Sequence, residues 1–156
     1  MSEADNLSAP LEDYLEKIAE LVEEHGAARP GDIARQLSVH KSTVTAALQS
    51  LSRKGLVNYT PYQAATLTRD GEALAGDIIR RHESIKRFLT DVLLLKEALS
   101  EENACRLEHT LDEDVLVRMG QFADFVELCG ARGEWCGESF AAFCGQEPAK
   151  TQAMKP

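Results

Sequence analysis

The sequence predicts a mostly α-helical chain: an N-terminal winged helix-turn-helix, then a second, wholly helical domain. Three observations carry this. Aliphatic residues recur at three- and four-residue steps over most of the chain, the spacing of one helix face. Between residues 29 and 70 a short helix, a tight turn, a second helix and two β-prone runs follow one another, the winged-helix order. Charge is segregated: residues 1–28 hold one Lys and eight acids, residues 29–90 ten Lys and Arg against five acids, and residues 91–156 six against thirteen. The boundaries read from this are 1–71 for the winged helix, 72–130 for the second domain and 131–156 for a Cys-containing tail.

Leu7 to Glu24 is predicted as an amphipathic helix, with Leu11, Leu15, Ile18, Leu21 and Val22 inward. Ser8 is its candidate cap, Pro10 falls in its first turn and His25-Gly26 ends it. Asp13 and Glu16 lie three apart, off the apolar stripe; on spacing alone such a pair ordinarily means a solvated acidic face. Pro30-Gly31-Asp32 opens a short helix through Leu37, and Ser38-Val39-His40 turns the chain. Lys41 to Lys54 makes the second helix, with Val44, Leu48 and Leu51 inward and Ser42, Thr43, Thr45 and Gln49 outward. Flanked by Lys41, Arg53 and Lys54, that outward face suits a major groove: hydroxyls and amides meet base edges, cations meet phosphates. The same fold used only for protein contacts is the blander reading. Leu56–Tyr59 and Ala65–Thr68 read as strands of a hairpin around Pro61-Tyr62-Gln63-Ala64.

A long helix is expected from Asp70-Gly71 to about Leu94, with Leu74, Ile78, Ile85, Leu89 and Val92 as its stripe. Its wide apolar face suits a partner subunit. His82 lies within it, and a lone helical His is ordinarily a surface or capping residue. Next, Cys105, Glu108 and His109 stand at i, i+3 and i+4, so a helix capped by Ser100, with Glu101 and Glu102 in its first turn, would present all three on one face. A thiol, a carboxylate and an imidazole within reach of one ion form an incomplete metal-ligand trio. A last helix should bury Val115, Met119, Phe122 and Val126 and end near Cys129-Gly130. Cys129, Cys136 and Cys144 follow at gaps matching no common zinc ribbon; they are either unlinked thiols or a second metal site lacking a fourth ligand.

The chain has 156 residues with 44% hydrophobic content, enough for a real core, and 6% aromatics, which favours aliphatic helix packing. The net charge of −9 alone argues against nucleic acid, but the basic middle segment reverses that for residues 29–90. No signal peptide or membrane-length apolar run is present, so a cytoplasmic protein with no membrane partner is expected, its four cysteines thiols or ligands rather than disulfides. No glycine-rich anion nest stands near the Cys-Glu-His trio, which argues against an enzyme.

From about Leu11 to Cys129 the chain resembles the diphtheria toxin repressor family of metal-activated repressors, including its manganese transport regulator branch. The stretches that carry the likeness are Leu11-Glu12-Asp13-Tyr14-Leu15-Glu16-Lys17-Ile18, Asp32-Ile33-Ala34 through Ser42-Thr43-Val44-Thr45, Leu67-Thr68-Arg69-Asp70-Gly71, and Arg81-His82-Glu83 with Cys105-Arg106-Leu107-Glu108-His109. The resemblance makes the second domain one for metal binding and dimerisation. It implies metal ligands at Asp13 and Glu16, as in the manganese branch; at His82, as in both; and at Cys105, Glu108 and His109, as in the iron-responsive branch. The manganese branch has a carboxylate where Cys105 stands, and the iron branch has Met where Asp13 stands and no acid at Glu16. An acid of the iron branch's second site is here Lys86, so that site as built there is expected to be absent. Ala46 replaces a longer polar residue of some members, leaving base readout to Ser42, Thr43 and Thr45. With about 27 residues after Cys129, no SH3-like third domain is expected.

The function implied is a homodimeric repressor that binds double-stranded operator DNA when loaded with a divalent transition metal and controls metal-homeostasis genes. Cys105 as thiolate favours Fe(II), with Co, Ni or Zn able to substitute in vitro, while Asp13 and Glu16 pull toward Mn(II); Fe(II) is ranked first. The alternative is a redox-sensing winged-helix regulator that uses Cys105 without metal.

Overall fold

The computed structural model describes residues 7–131, and it is mostly helical. Backbone contacts divide the chain into two units, one ending at Arg81 and the other beginning at His82. Among the described residues no helix is long and apolar enough to cross a membrane.

The first unit begins with α1, Ala9–His25, which buries Tyr14, Leu15, Ile18 and Leu21 at helical spacing. Ser8 takes the N-cap position with extended backbone but makes no side-chain capping bond. Gly26 ends the helix in the left-handed region at φ 78°, its N–H donating to the Val22 carbonyl at 2.7 Å. α2, Pro30–Gln36, starts on proline, whose missing N–H costs nothing there. After the turn at Ser38 comes α3, Lys41–Arg53, which buries Val44, Ala47, Leu48 and Leu51. These side chains, with those of α1 and α2, form one core that Ala75 and Ile78 also enter.

The strands are shorter than their β-prone runs. β1, Val57–Asn58, pairs antiparallel with β2, Thr66–Leu67, Val57 opposite Leu67 and Asn58 opposite Thr66. Beyond Asn58 the ladder stops, and the Asn58 amide bonds across it to the Leu67 carbonyl and the Thr66 hydroxyl, 3.2 Å each. Ala28 and Ala65 add an isolated bridge. At the hairpin tip the Gln63 N–H donates to the Thr60 carbonyl, and Tyr62, at φ 68°, projects a fully exposed ring. Thr68 then joins hairpin to helix: its hydroxyl donates to the Gly55 carbonyl at 2.6 Å and accepts from the Gly71 N–H at 3.1 Å. A Cβ on Gly71 would run into the Leu56 carbonyl, so only glycine lets α4, Arg69–Arg87, start this close to the wing.

In the second unit the end of α4 passes into a π-helical turn, Phe88–Val92. The stripe expected to run to Leu94 therefore holds through Ile85, Leu89 and Val92, but in a looser coil. Leu94 then takes φ 55°, while its side chain is half-exposed. A left-handed leucine is strained by the contact of its Cβ with the backbone. Leu94→Gly is expected to raise the denaturant midpoint by the equivalent of about 0.5–1 kcal/mol, strain relief less the glycine entropy cost; an unshifted midpoint would show that no strain is stored there.

Two further expectations need correction here. The helix before the Cys-Glu-His trio, α5, spans Glu97–Leu107 with Lys96 at its N-cap. Ser100 is an interior residue of that helix, fully buried, and not its cap. α6, Glu113–Ala131, buries Leu116, Ala123 and Val126, with Met119 packed beside them. Val115 and Phe122 are exposed instead of inward. α6 has apolar residues on two sides, so the spacing fits either phase; the small Ala123 lets that side approach Phe88 and Val92. Arg87 clasps α6 through Asp124 and Glu127, 2.7 Å each, and the Asp124 bond is the chief cause of its raised pKa.

Candidate metal centre

Ile78, His82 and Ile85 on α4 and Leu89 in the π-helical turn after it are all buried at steps of four, three and four, so His82 occupies the apolar stripe rather than the surface. The signal was legible: Ile78 and Ile85 bracket His82 at helical spacing. A polar ring placed there needs a partner, and it has one from α5. Ser100, Ala104 and Glu108 make the inward line of that helix at four-residue steps, all three buried. Glu108 stands at the C-cap, its N–H bonded to the Ala104 carbonyl at 3.0 Å. Its carboxylate Oε2 lies 2.7 Å from His82 Nδ1.

Glu108 is 1% exposed, so nearly all of its charge is removed from water. Its second oxygen, Oε1, makes no hydrogen bond. His109 Nε2 stands 3.4 Å from that oxygen, within ion-pair range but outside hydrogen-bonding geometry. A buried carboxylate with an unbonded oxygen beside two imidazoles fits a divalent transition metal, because oxygen and nitrogen donors of this kind are what such an ion takes. Leaving that oxygen unsatisfied otherwise costs about 1–3 kcal/mol.

The structure brings together His82, Glu108 and His109. The expected helical trio is modified: α5 ends at Leu107, which puts His109 in the following turn, and Cys105 lies exposed on the helix one turn before Glu108. Asp13 and Glu16, in the first unit, are half-buried beside the core residues Tyr14 and Leu15, not a fully solvated acidic face. Glu101, outside the expected ligand set, also faces His82, with Lys86 behind it. Glu101 Oε1 lies 3.2 Å from His82 Nε2, and Glu101 Oε2 lies 2.8 Å from Lys86 Nζ. The Lys86 ammonium, hydrogen-bonded to Glu101, holds that carboxyl below the usual carboxylate range, and the same bond raises Lys86. Glu101 could have been found as the residue one turn before Cys105 and two turns before Glu108.

On α3, Lys41, Ser42, Thr43, Gln49 and Arg53 are exposed, as a DNA-reading face requires. Thr45 is half-buried, and its hydroxyl donates to the Lys41 carbonyl at 3.0 Å, so its proton is already committed to the helix. Cys129 is a half-buried free thiol; Cys136 and Cys144 lie outside the described residues.

Comparison with known proteins agrees with this division of labour. Residues 6–65 match the iron dependent repressor N-terminal DNA binding domain, and residues 68–136 match the iron dependent repressor metal binding and dimerisation domain. The chain is 38% identical over 119 residues to an uncharacterized HTH-type transcriptional regulator of Methanocaldococcus jannaschii, covering 76% of this chain and 95% of that one. It is 36% identical over 121 residues to the HTH-type transcriptional regulator MntR of Geobacillus kaustophilus, covering 75% and 82%. Among solved structures, the manganese regulator SloR superposes with a TM-score of 0.66 at 30% identity, covering 74% of this chain and 54% of that one, so this chain spans about half the length of that protein. These relatives are regulators and not enzymes. The chain belongs to the diphtheria toxin repressor family of metal-dependent transcriptional repressors, and it carries both the DNA-binding domain and the metal-binding and dimerisation domain of that family.

Proposed function

We propose that this repressor responds to Fe(II) ahead of Mn(II) and represses metal-homeostasis genes as a cytoplasmic homodimer on operator DNA. The observation that carries the metal reading is the buried Glu108 carboxylate, one oxygen 2.7 Å from His82 and the other, which makes no hydrogen bond, 3.4 Å from His109. The proposed ligand set adds Cys105 from α5 and, on the strength of the family resemblance, Asp13 and Glu16 from α1. A bound divalent cation supplies the positive charge that lets these carboxylates share one site. On the family resemblance, the acids of such a ligand set disfavour a shared site when no cation is bound, and the winged helix is then free of that constraint. With the cation bound, α1 is fixed and carries α3 into place. In a homodimer the two α3 helices then stand about one DNA turn apart, where Ser42, Thr43 and Gln49 meet bases and Lys41 and Arg53 meet phosphates. A preference of a few kcal/mol for the ordered arrangement is enough to switch occupancy. Cys129, with Cys136 and Cys144, remains a candidate second metal site.

The test is anaerobic titration of the metal-free protein with Fe(II), Mn(II) and Zn(II), following its binding to a duplex selected from a randomised pool at fixed salt. DNA binding should tighten at lower Fe(II) than Mn(II). Equal DNA affinity with and without metal would rule the switch out. Binding that ignores metal but responds to peroxide would instead assign the sensing to the exposed Cys105 thiol.

A further inference from the structure

Lys86 sits close against the metal-binding side chains. Its Nζ lies 2.8 Å from Glu101 Oε2 and 3.9 Å from Glu97 Oε1. Glu101 in turn faces His82 Nε2 at 3.2 Å, and the opposite ring nitrogen, Nδ1, faces Glu108 at 2.7 Å. A continuous polar chain therefore runs from Lys86 through Glu101 and His82 to the buried Glu108. Glu97 and Glu101, four apart on α5, would with His82 Nε2 make an outer set of donors able to attract a cation of their own. The lysine ammonium already lies between the two carboxylates.

We propose that Lys86 is a resident cation. It takes the outer side of His82 in place of a metal ion, and by gripping Glu101 it fixes His82 so that Nδ1 is the nitrogen presented to the ion held by Glu108. This rests on the divalent-cation reading above and goes beyond it, specifying where no ion binds and which ring atom does. A ligating imidazole commonly gives its other N–H to a carboxylate, which sets both its tautomer and its ring plane. Here Glu101 is that acceptor, and the ammonium, a compact charge with three donors, neutralises it. Lys86 and Glu101 are thus positioning residues that never touch the metal.

Two measurements on the full chain test this. In the first, metal-free protein is equilibrated with excess Mn(II) and the bound metal is counted. Lys86→Gln should hold one more ion per chain than wild type, Lys86→Arg should match wild type, and Lys86→Gln combined with Glu101→Gln should lose the extra ion. In the second, nitrogen-15 imidazole spectra of the Zn(II)-loaded protein should show His82 protonated at Nε2. Glu101→Ala should weaken metal binding about 10- to 100-fold, and Glu101→Gln, whose carbonyl still accepts from Nε2, should recover most of that loss. An unchanged metal count in Lys86→Gln, or a His82 that binds Zn(II) through Nε2, overturns the proposal. Those results would leave the metal-activated reading standing, whereas a wild-type chain that binds no divalent cation removes both.

Discussion

Glu108→Gln is expected to abolish metal-dependent DNA binding while leaving the metal-free chain as stable as wild type, or about 1 kcal/mol more stable. The two effects run in opposite directions because one carboxylate does both jobs. Glu108 is 1% exposed, with one oxygen at 2.7 Å from His82 and the other without a hydrogen bond. A glutamine carbonyl can still accept from His82, and the amide group removes a charge that the metal-free interior solvates poorly. The same change deletes the central anionic donor of the proposed site, so metal affinity should fall at least about 100-fold, equivalent to ~2.7 kcal/mol. Thermal melts in chelator and calorimetric metal titration read the two effects separately. A variant that loses stability in chelator as severely as it loses metal would mark Glu108 as a structural group. A variant with an unchanged metal response would remove it from the site.

Much of this arrangement was legible from residue spacing, and the places where it was not have physical reasons. α1, α2 and α3 appear where their stripes and terminators put them, because Gly26, Pro30 and Gly55 punctuate each helix and the inward residues fit only one phase. Ser100 misled because its type favours caps, yet it lies on the line of Ala104 and Glu108, and burial of that line decided the helix start at Glu97. α6 misled for a different reason. With apolar residues on both sides, only the depth available beside Phe88 selects Ala123 over Phe122. The π-helical turn at Phe88–Val92 changes hydrogen-bond spacing without changing which residues are apolar, so no pattern in the side chains announces it. At the candidate metal centre, spacing pointed to Cys105, Glu108 and His109 as donors, but the partnership of His82 with both Glu108 and Glu101 depends on two helices meeting, which spacing along either one does not encode.

Cys105→Asp should shift metal preference toward Mn(II), lowering the affinity for Zn(II) or Co(II) relative to Mn(II) on the order of tenfold or more, a change of ~1.4 kcal/mol in their difference. Ligand softness is the cause. A thiolate binds polarisable borderline ions far better than it binds Mn(II), whereas a carboxylate discriminates much less. Position 105 lies one turn before Glu108 on α5, so the exchange alters donor chemistry with little demand on the fold, and its exposed side chain leaves room for the new carboxylate. Cys105→Ala separates the two contributions: it should weaken the soft ions most and Mn(II) least, since Mn(II) gains little from sulfur. Competition titrations with a coloured chelator give each affinity under anaerobic conditions. If Cys105→Ala leaves the ranking of Zn(II), Co(II) and Mn(II) as in wild type, the thiol is no ligand, and metal choice is then left to the other proposed donors.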